Sequence, residues 1–315
     1  MLNNYNNDLL VLAPIKGYTD PVWRSCYFDH FKGLDKVVTP FLLLSEHNQA
    51  KKGYFPQFLP ELGSGVEVVP QFLIKNPDTL VYGASVMAKL GVKEFNLNMG
   101  CPAPAIYKKG RGSGLLEDLD SIRRILEGVI GNIPGNLTVK IRTGISDSSL
   151  VEPLIGILNE YPIKEVIVHP RFARQLYSGK PDMEAFDYVY NNSLNPVSYN
   201  GDIYTLDDYK KLKKIYPKVS SWMLGRGVLQ DPFLPWSIKS GIEPTLTERR
   251  GKILDFIHDL DSRFKNSYGK ELIASNRVKA SLIYMAAYYD SNPDTITRVK
   301  RSQNLDQILK IMALN

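Results

Sequence analysis

Residues 137 to 169 have the sequence LTVKIRTGISDSSLVEPLIGILNEYPIKEVIVH, and this stretch decides the fold. Its two ends, Leu137–Arg142 and Glu165–His169, are short runs rich in β-branched residues, which are typical of buried strands. Between them, Leu150–Glu160 carries apolar residues at helical spacing. A helix between two consecutive strands predicts that the strands are parallel, because a parallel pair needs a crossover connection.

The same alternation extends along the chain in both directions. Six further strands are predicted, at Leu9–Ile15, Lys36–Phe41, Val66–Phe72, Glu94–Met99, Pro196–Asn200 and Ser221–Leu224. Segments of helical character, such as Thr79–Leu90, Leu119–Ile130 and Leu206–Ile215, lie between strands. Eight strand-helix repeats in about 240 residues match the usual size of an eight-stranded parallel (β/α)8 TIM barrel, and we predict this α/β fold. An open doubly wound sheet is less well supported, because the first turn, Ala13-Pro14-Ile15-Lys16-Gly17, lacks the Gly-x-Gly-x-x-Gly pattern.

After Gly241 the pattern changes and no further strand is predicted. Three segments there have helical character, Thr245–Ser267, Glu271–Tyr289 and Thr297–Leu314. Several helices without a sheet are typical of a small helical bundle. We therefore predict a catalytic barrel over residues 1–240 and a small C-terminal all-α domain over residues 241–315.

The composition is that of an ordinary globular protein, with 43% hydrophobic and 23% charged residues among 315. The first residues lack the basic start and apolar run of a signal peptide, and no later run is long enough to span a bilayer. We expect a cytoplasmic monomer with neither a membrane nor a protein partner. The only cysteines, Cys26 and Cys101, are too few for a disulfide scaffold or a thiolate metal site, so we expect no metal. The net charge of +6 would suit a polyanionic partner without establishing one.

Polar residues cluster where the predicted strands end, and in this fold the active site lies at the C-terminal ends of the strands. These ends carry Pro14 and Lys16, Gln71, Asn98 and Cys101, Lys140 and Arg142, His169 and Arg171, Asn200 to Asp202, and Gly225 to Gly227. The last two groups follow the seventh and eighth strands, where this fold often binds phosphate and where glycine lets the backbone approach an anion. Lys140 would lie over the barrel mouth, where an unpaired ammonium is costly, so an anionic partner is expected. A sugar phosphate and a flavin mononucleotide (FMN) both fit these observations.

The chain resembles the bacterial tRNA-dihydrouridine synthases from about Leu12 to Ser240, and more weakly beyond. The most specific segment is Leu97-Asn98-Met99-Gly100-Cys101-Pro102, followed by the glycine-rich segment Gly110-Arg111-Gly112-Ser113-Gly114. Supporting elements are Ala13-Pro14, Gln71, Val139-Lys140-Ile141-Arg142, His169-Pro170-Arg171, Asn200-Gly201-Asp202 and Gly225-Arg226-Gly227. Two positions depart from the family pattern, since many members have Met-Glu-Gly where Ile15-Lys16-Gly17 stands and His-Gly-Arg where His169-Pro170-Arg171 stands.

The resemblance implies an FMN enzyme that uses NADPH or NADH to reduce the C5=C6 bond of specific uridines in tRNA. It places the cofactor against Ala13, Pro14, Ile15, Gln71, Lys140, His169, Asn200, Gly201, Asp202, Gly225 and Arg226. It implies that Asn98, Arg142 and Arg171 face the uracil. Cys101 would be the proton donor, since hydride addition at C6 must be completed by an acid at C5. For this role the thiol must be protonated before the chemistry, whereas reactive cysteines are usually thiolates.

The helical tail carries several cations, among them Arg277 and Lys279. Charge alone fits a solvated helix face as well as an RNA contact, and the resemblance favours tRNA binding by these two residues. Other functions remain open from the residues alone. One is an FMN barrel that acts on a free pyrimidine, as dihydroorotate dehydrogenases do. Another is a phosphate-binding lyase or isomerase that uses Lys140, and a third is a non-catalytic tRNA-binding protein.

Overall fold

The computed structural model describes residues 7–44, 55, 59, 65–269, 271–289, 292 and 294–312. Nine strands form one parallel sheet in this part of the chain. They are β1 Leu9–Leu12, β2 Lys36–Val38, β3 Glu67–Val69, β4 Gln71–Phe72, β5 Glu94–Met99, β6 Asn136–Arg142, β7 Glu165–His169, β8 Val197–Tyr199 and β9 Ser221–Leu224. Their order is β3-β2-β1-β9-β8-β7-β6-β5-β4, so β3 and β4, which are consecutive in the chain, form the two ends of the sheet.

The barrel closes at Pro70, which separates β3 from β4. The sequence predicted one strand over Val66–Phe72, and the structure divides it because proline has no N–H to donate to a neighbouring strand. Its carbonyl still accepts a hydrogen bond from the Asn96 backbone at 2.9 Å, and the Gln71 carbonyl accepts one from Leu42 at 2.8 Å. Each predicted strand overlaps an observed one, and the predicted (β/α)8 barrel is confirmed.

Most strands are followed by helices that cover the outside of the barrel. The longer ones are Pro21–His30, Pro77–Ala88, Leu119–Val129, Val151–Leu158, Met183–Asn192 and Leu206–Ile215, with the shorter Pro104–Tyr107, Arg226–Gln230 and Leu234–Ser240 and single 3-10 turns at Gly112–Glu117 and Ala173–Gln175. Local sequence sets several starts. Asp20 and Asn76 each cap a helix that has proline in its first turn. Thr205 and Asp208 form a capping box at Leu206–Ile215.

The chain after Ser240 is helical wherever it is described, with helices Leu246–Tyr268, Glu271–Tyr289, Thr295–Arg301 and Leu305–Ile311. The prediction of a single segment over Thr297–Leu314 was wrong. Asn304 caps a new helix through the Gln307 backbone N–H at 3.0 Å, and Ser302 has extended backbone between the two helices. Residues 313 and 314 of that segment lie outside the described residues. None of the described helices is long and apolar enough to cross a membrane.

The C-terminal helices pack against the barrel through a shared core. The Phe256 ring packs edge to face against the rings of Trp23 and Phe31 of the barrel, with centroid distances of 6.3 and 5.2 Å. A polar contact lies beside this cluster, where Asp259 is 2.9 Å from His30 and is also paired with Arg263. The barrel and the following helices therefore share one buried hydrophobic cluster.

Candidate active site

Alternation along the strands directs one set of side chains into the barrel and the other toward the helices. Val139 and Ile141 of β6 belong to the outer core, whereas Lys140 lies at the mouth. The inward residues at the strand ends converge on a deep lobe of about 70 Å³. Its walls contain Ala13, Pro14, Ile15, Lys140, His169, Asn200, Gly201, Asp202, Gly225 and Arg226. These are all of the predicted cofactor-binding residues except Gln71.

A wider outer lobe of about 350 Å³ adjoins the deep one. The two lobes share Pro14, Ile15, Lys140, His169, Tyr177 and Arg226, so they form one continuous site. The outer lobe also contains Cys101, Asn98 and Arg142. The structure therefore brings the predicted acid and two predicted uracil contacts together beside the predicted cofactor residues.

The deep lobe contains two basic side chains, Lys140 and Arg226, and one carboxylate, Asp202. Burial, together with the positive charge of Arg142, lowers the pKa of Lys140 to about 7. Burial and the neighbouring charges of Lys140 and Arg142 also hold the pKa of His169 well below its usual range, so this imidazole is neutral. Among the described residues, none forms a hydrogen bond or ion pair with the Lys140 ammonium. A site built in this way favours an anionic ligand.

Asp202 joins two arginines at the edge of the deep lobe. Its carboxylate accepts hydrogen bonds from Arg171 at 2.5 and 3.0 Å and from Arg226 at 2.6 Å. Burial opposes ionisation, yet the hydrogen bond and charge of Arg171 and the charge of Arg226 together lower the Asp202 pKa. The Arg171 side chain is 1% exposed and lies in neither lobe, so it supports Asp202 from behind.

Cys101 lies at the start of a loop whose backbone is held on two sides. The Asn98 side-chain oxygen accepts hydrogen bonds from the backbone N–H groups of Gly100 and Cys101, at 3.0 and 2.9 Å. The Cys101 carbonyl accepts hydrogen bonds from the backbone and the hydroxyl of Ser113, both at 3.0 Å. At Gly112, which has φ +59°, an added Cβ would lie 2.7 Å from the same carbonyl oxygen. The glycine-rich segment therefore packs directly on Cys101.

Gln71 is fully buried beneath the outer lobe and lines neither lobe. Its side-chain oxygen accepts a hydrogen bond from Asn98 at 2.8 Å, and its nitrogen donates to Asn96 at 2.8 Å. Asn96 in turn donates to Thr138 at 2.9 Å. Gln71 thus links the Cys101 loop to the barrel interior, and its predicted contact with a cofactor stays a prediction.

Two predicted RNA contacts form bonds within the protein. Arg277 donates to Asp20 at 2.6 Å and to the Gly17 carbonyl at 3.0 Å, both in the loop that follows β1. Lys279 donates to the Ser302 carbonyl at 2.7 Å. Neither residue lines the two lobes, and their role toward RNA stays a prediction.

Several aromatic residues of the site were missed from the sequence. Tyr177 is 52% exposed and lies against Arg226 and Arg142, with ring-to-guanidinium distances of 4.9 and 5.8 Å. Tyr204 covers another side of Arg226 at 5.5 Å. Tyr18 and Tyr284 meet edge-on at the outer lobe, with centroids 5.3 Å apart. An aromatic residue in the loop that follows a strand was the one available signal, and it indicates Tyr18, Tyr177 and Tyr204 but not Tyr284.

Comparison with known proteins gives concordant matches over most of the chain. The model of a family described as dihydrouridine synthase (Dus) matches residues 11–305. The chain is 28% identical over 320 residues to a tRNA-dihydrouridine(16) synthase of Aquipseudomonas alcaligenes, which covers 97% of this chain and 99% of that protein. It is 26% identical over 316 residues to a protein of the same name from Cupriavidus necator, with 96% of each covered. A solved structure of histamine dehydrogenase from Rhizobium sp. 4-9 is similar in fold, with a TM-score of 0.57 at 11% identity over 92% of this chain and 50% of that one.

Proposed function

The chain belongs to the dihydrouridine synthase family, and we propose that it reduces the C5=C6 bond of uridine in tRNA with FMN as cofactor and NADPH or NADH as reductant. The observation that carries the proposal is the continuous site, in which a cation-rich lobe with two glycine turns adjoins a lobe containing Cys101. Relatives named for position 16 of tRNA support that position as the target.

The residues of the deep lobe fit the parts of FMN. Arg226, supported by Asp202, and the glycine turns at Gly201 and Gly225 would hold its phosphate. Lys140 would meet the negative charge of the reduced ring, and this contact would restore the ammonium that burial disfavours. His169 is neutral, so it can present a single N–H donor. When bound and reduced, FMN supplies a hydride to C6 of the uracil.

Cys101 is the proposed acid. As hydride adds at C6, electrons of the C5=C6 bond move toward C5 and the C4 carbonyl, and the thiol of Cys101 gives its proton to C5. Lys140 and Arg142 line the same lobe as the resulting thiolate, which then takes a proton from water. The hydrogen bonds from Gly100, Cys101 and Ser113 fix the backbone from which the thiol acts.

The remaining substrate contacts follow from position. Asn98 and Arg142 line the outer lobe and would face the uracil, whereas Arg171 would act through Asp202. The uridine must leave its stack in the folded tRNA, at a cost of a few kcal/mol that contacts elsewhere offset. We propose that the helices after residue 240 form a tRNA-binding domain beside the catalytic barrel, with Lys279 on its surface.

The direct test incubates the purified protein with unmodified tRNA, FMN and NADPH and maps dihydrouridine by mass spectrometry. Cys101→Ala is expected to lower the rate by at least about a hundredfold while retaining FMN, because a positioned acid contributes roughly that factor or more. Cys26→Ala is the matched control, because Cys26 lies outside both lobes and should keep the wild-type rate. Full activity of Cys101→Ala would remove the assignment of the acid, and reduction of free pyrimidine without RNA would favour the dihydroorotate dehydrogenase-like alternative.

A further inference from the structure

Arg277 of the helix Glu271–Tyr289 reaches back to the loop that carries one wall of the active site. We propose that it is a positioning residue, which holds the loop Gly17–Asp20 so that Pro14, Ile15 and Lys16 are shaped for the cofactor. The inference rests on the proposed function for the identity of the cofactor, FMN. It makes the C-terminal helices part of the construction of the active site, in addition to any contact with RNA.

The contacts of Arg277 use all three of its nitrogens. Nη2 donates to the Asp20 carboxylate at 2.6 Å, and Nη1 donates to the Gly17 carbonyl at 3.0 Å. Nε and Nη2 also donate to the Tyr268 hydroxyl, at 3.3 and 3.2 Å, and the Tyr268 ring lies 5.6 Å from the guanidinium. An RNA phosphate would have to compete with Asp20, whose side chain is only 12% exposed. This arrangement favours a structural bond to the loop.

Hydrogen bonds hold this loop at both ends and at its bend. At its near end, the Thr19 hydroxyl accepts a hydrogen bond from the Ile15 backbone at 3.0 Å and donates to the Ala13 carbonyl at 3.3 Å. At Gly17, which has φ +89°, no atom lies within 4 Å of the position of a Cβ, so side-chain packing does not hold the bend there. From outside the loop, Arg24 donates to the Thr19 carbonyl at 2.9 Å, and Trp23 donates to the Asp20 carboxylate at 2.9 Å. Among the described residues, Arg277 is the one that donates to the Gly17 carbonyl, at the bend itself.

The segment that contains this loop, residues 14–20, contributes directly to both lobes. Pro14 and Ile15 line the deep lobe and the outer lobe, and Lys16 and Tyr18 line the outer one. Tyr284 lies two turns beyond Arg277 on the same helix, and its ring meets Tyr18 edge-on with centroids 5.3 Å apart. One face of this helix therefore contacts the loop at two points. A shift of the loop would alter the cofactor lobe before any RNA is present.

The test measures FMN affinity in the absence of RNA by quenching of flavin fluorescence, using the full-length protein. Arg277→Met is expected to raise the Kd for FMN about tenfold, the size of one charge-assisted hydrogen bond. Asp20→Asn removes the same ion pair but keeps a good N-cap for the helix Pro21–His30, so a similar increase is expected. Lys265→Met is the control, because it removes a cation from the neighbouring helix without touching the loop.

The double variant distinguishes a shared role from two separate ones. If Arg277 acts through Asp20, Arg277→Met should add less than about twofold to the Kd in the Asp20→Asn background. The inference is overturned if both single variants keep the wild-type Kd for FMN, including the case in which only the KM for tRNA rises. If Arg277→Met does not fold, Asp20→Asn decides alone, and an unchanged Kd there overturns the inference. Absence of FMN binding in the wild-type protein would instead refute the proposed function.

Discussion

Raising the pH above neutrality is expected to weaken the binding of reduced FMN through Lys140. In the protein without ligand, burial and the charge of Arg142 lower the Lys140 pKa to about 7. An anionic ligand beside the ammonium raises that pKa, so binding takes up a proton wherever the pH lies between the two values. Affinity therefore falls as the pH rises above about 7 and levels off below it, where Lys140 is charged in both states.

The size of the effect follows from the two pKa values. If the ligand restored the ordinary pKa of 10.5, the affinity would fall about 50-fold between about pH 7 and about pH 9. This is a ceiling, and we expect about tenfold, because the half-buried ammonium keeps some contact with water. Anaerobic titration with reduced FMN, followed by absorbance across this range, measures the slope, with Lys140→Met as the comparison. A wild-type affinity that does not change with pH, or an equal slope in Lys140→Met, would refute the reasoning.

The other predictions concern the Cys101 loop and Asp202. Gly112→Ala places a Cβ 2.7 Å from the Cys101 carbonyl oxygen and should lower kcat about tenfold or more without changing the Kd for FMN. Gly131→Ala is its control, since Gly131 also has positive φ but an added Cβ there meets no atom within 4 Å, and equal rates in the two variants would contradict the prediction. Asp202→Asn leaves the buried Arg171 without its carboxylate and should lower the free energy of unfolding by about 2 kcal/mol in urea titrations, less than a fully buried pair because Asp202 is partly exposed. This stabilisation is fully present above the ordinary Asp pKa, near 3.8, and is lost as the pH falls through the lower pKa of Asp202 in the folded protein. The free energies of unfolding of wild type and variant should therefore converge in acid. A difference between them that does not change with pH would contradict the prediction.

The order of elements could be predicted from the sequence because each strand contains its own signal of short β-rich runs. Glu94–Met99, Glu165–His169 and Ser221–Leu224 agree with the structure at both ends. The division of the third predicted strand was not predicted, because it depends on the single residue Pro70 within a run that otherwise has strand character. The last two helices were predicted as one segment because the turn between them, from Ser302 to Asn304, contains no glycine or proline. Side-chain caps stabilise this turn instead.

The candidate site was predictable wherever strand alternation determines which side chains face inward. Lys140, His169 and Asn98 follow from this rule and from the position of the strand ends. Residues brought in by tertiary packing do not follow. The bond between Arg277 and Asp20 joins parts of the chain that lie far apart, and a basic residue on a helix gives no indication of which acid it will meet. Tyr284 reaches the outer lobe for the same reason.

The buried amides under Cys101 impose a direction on one another. The backbone N–H groups of Gly100 and Cys101 require the oxygen of Asn98 to face them, so its nitrogen must point to the oxygen of Gln71. The nitrogen of Gln71 then faces the oxygen of Asn96, whose nitrogen faces Thr138, and the Thr138 hydroxyl ends the series at the Phe95 carbonyl, 3.4 Å away. No single amide can flip without leaving two like atoms opposed at a buried position. The hydrogen bonds between the Cys101 loop and the barrel interior therefore all run in one direction. A substitution that reverses a donor at one end of the series would disturb the bonds at the other end.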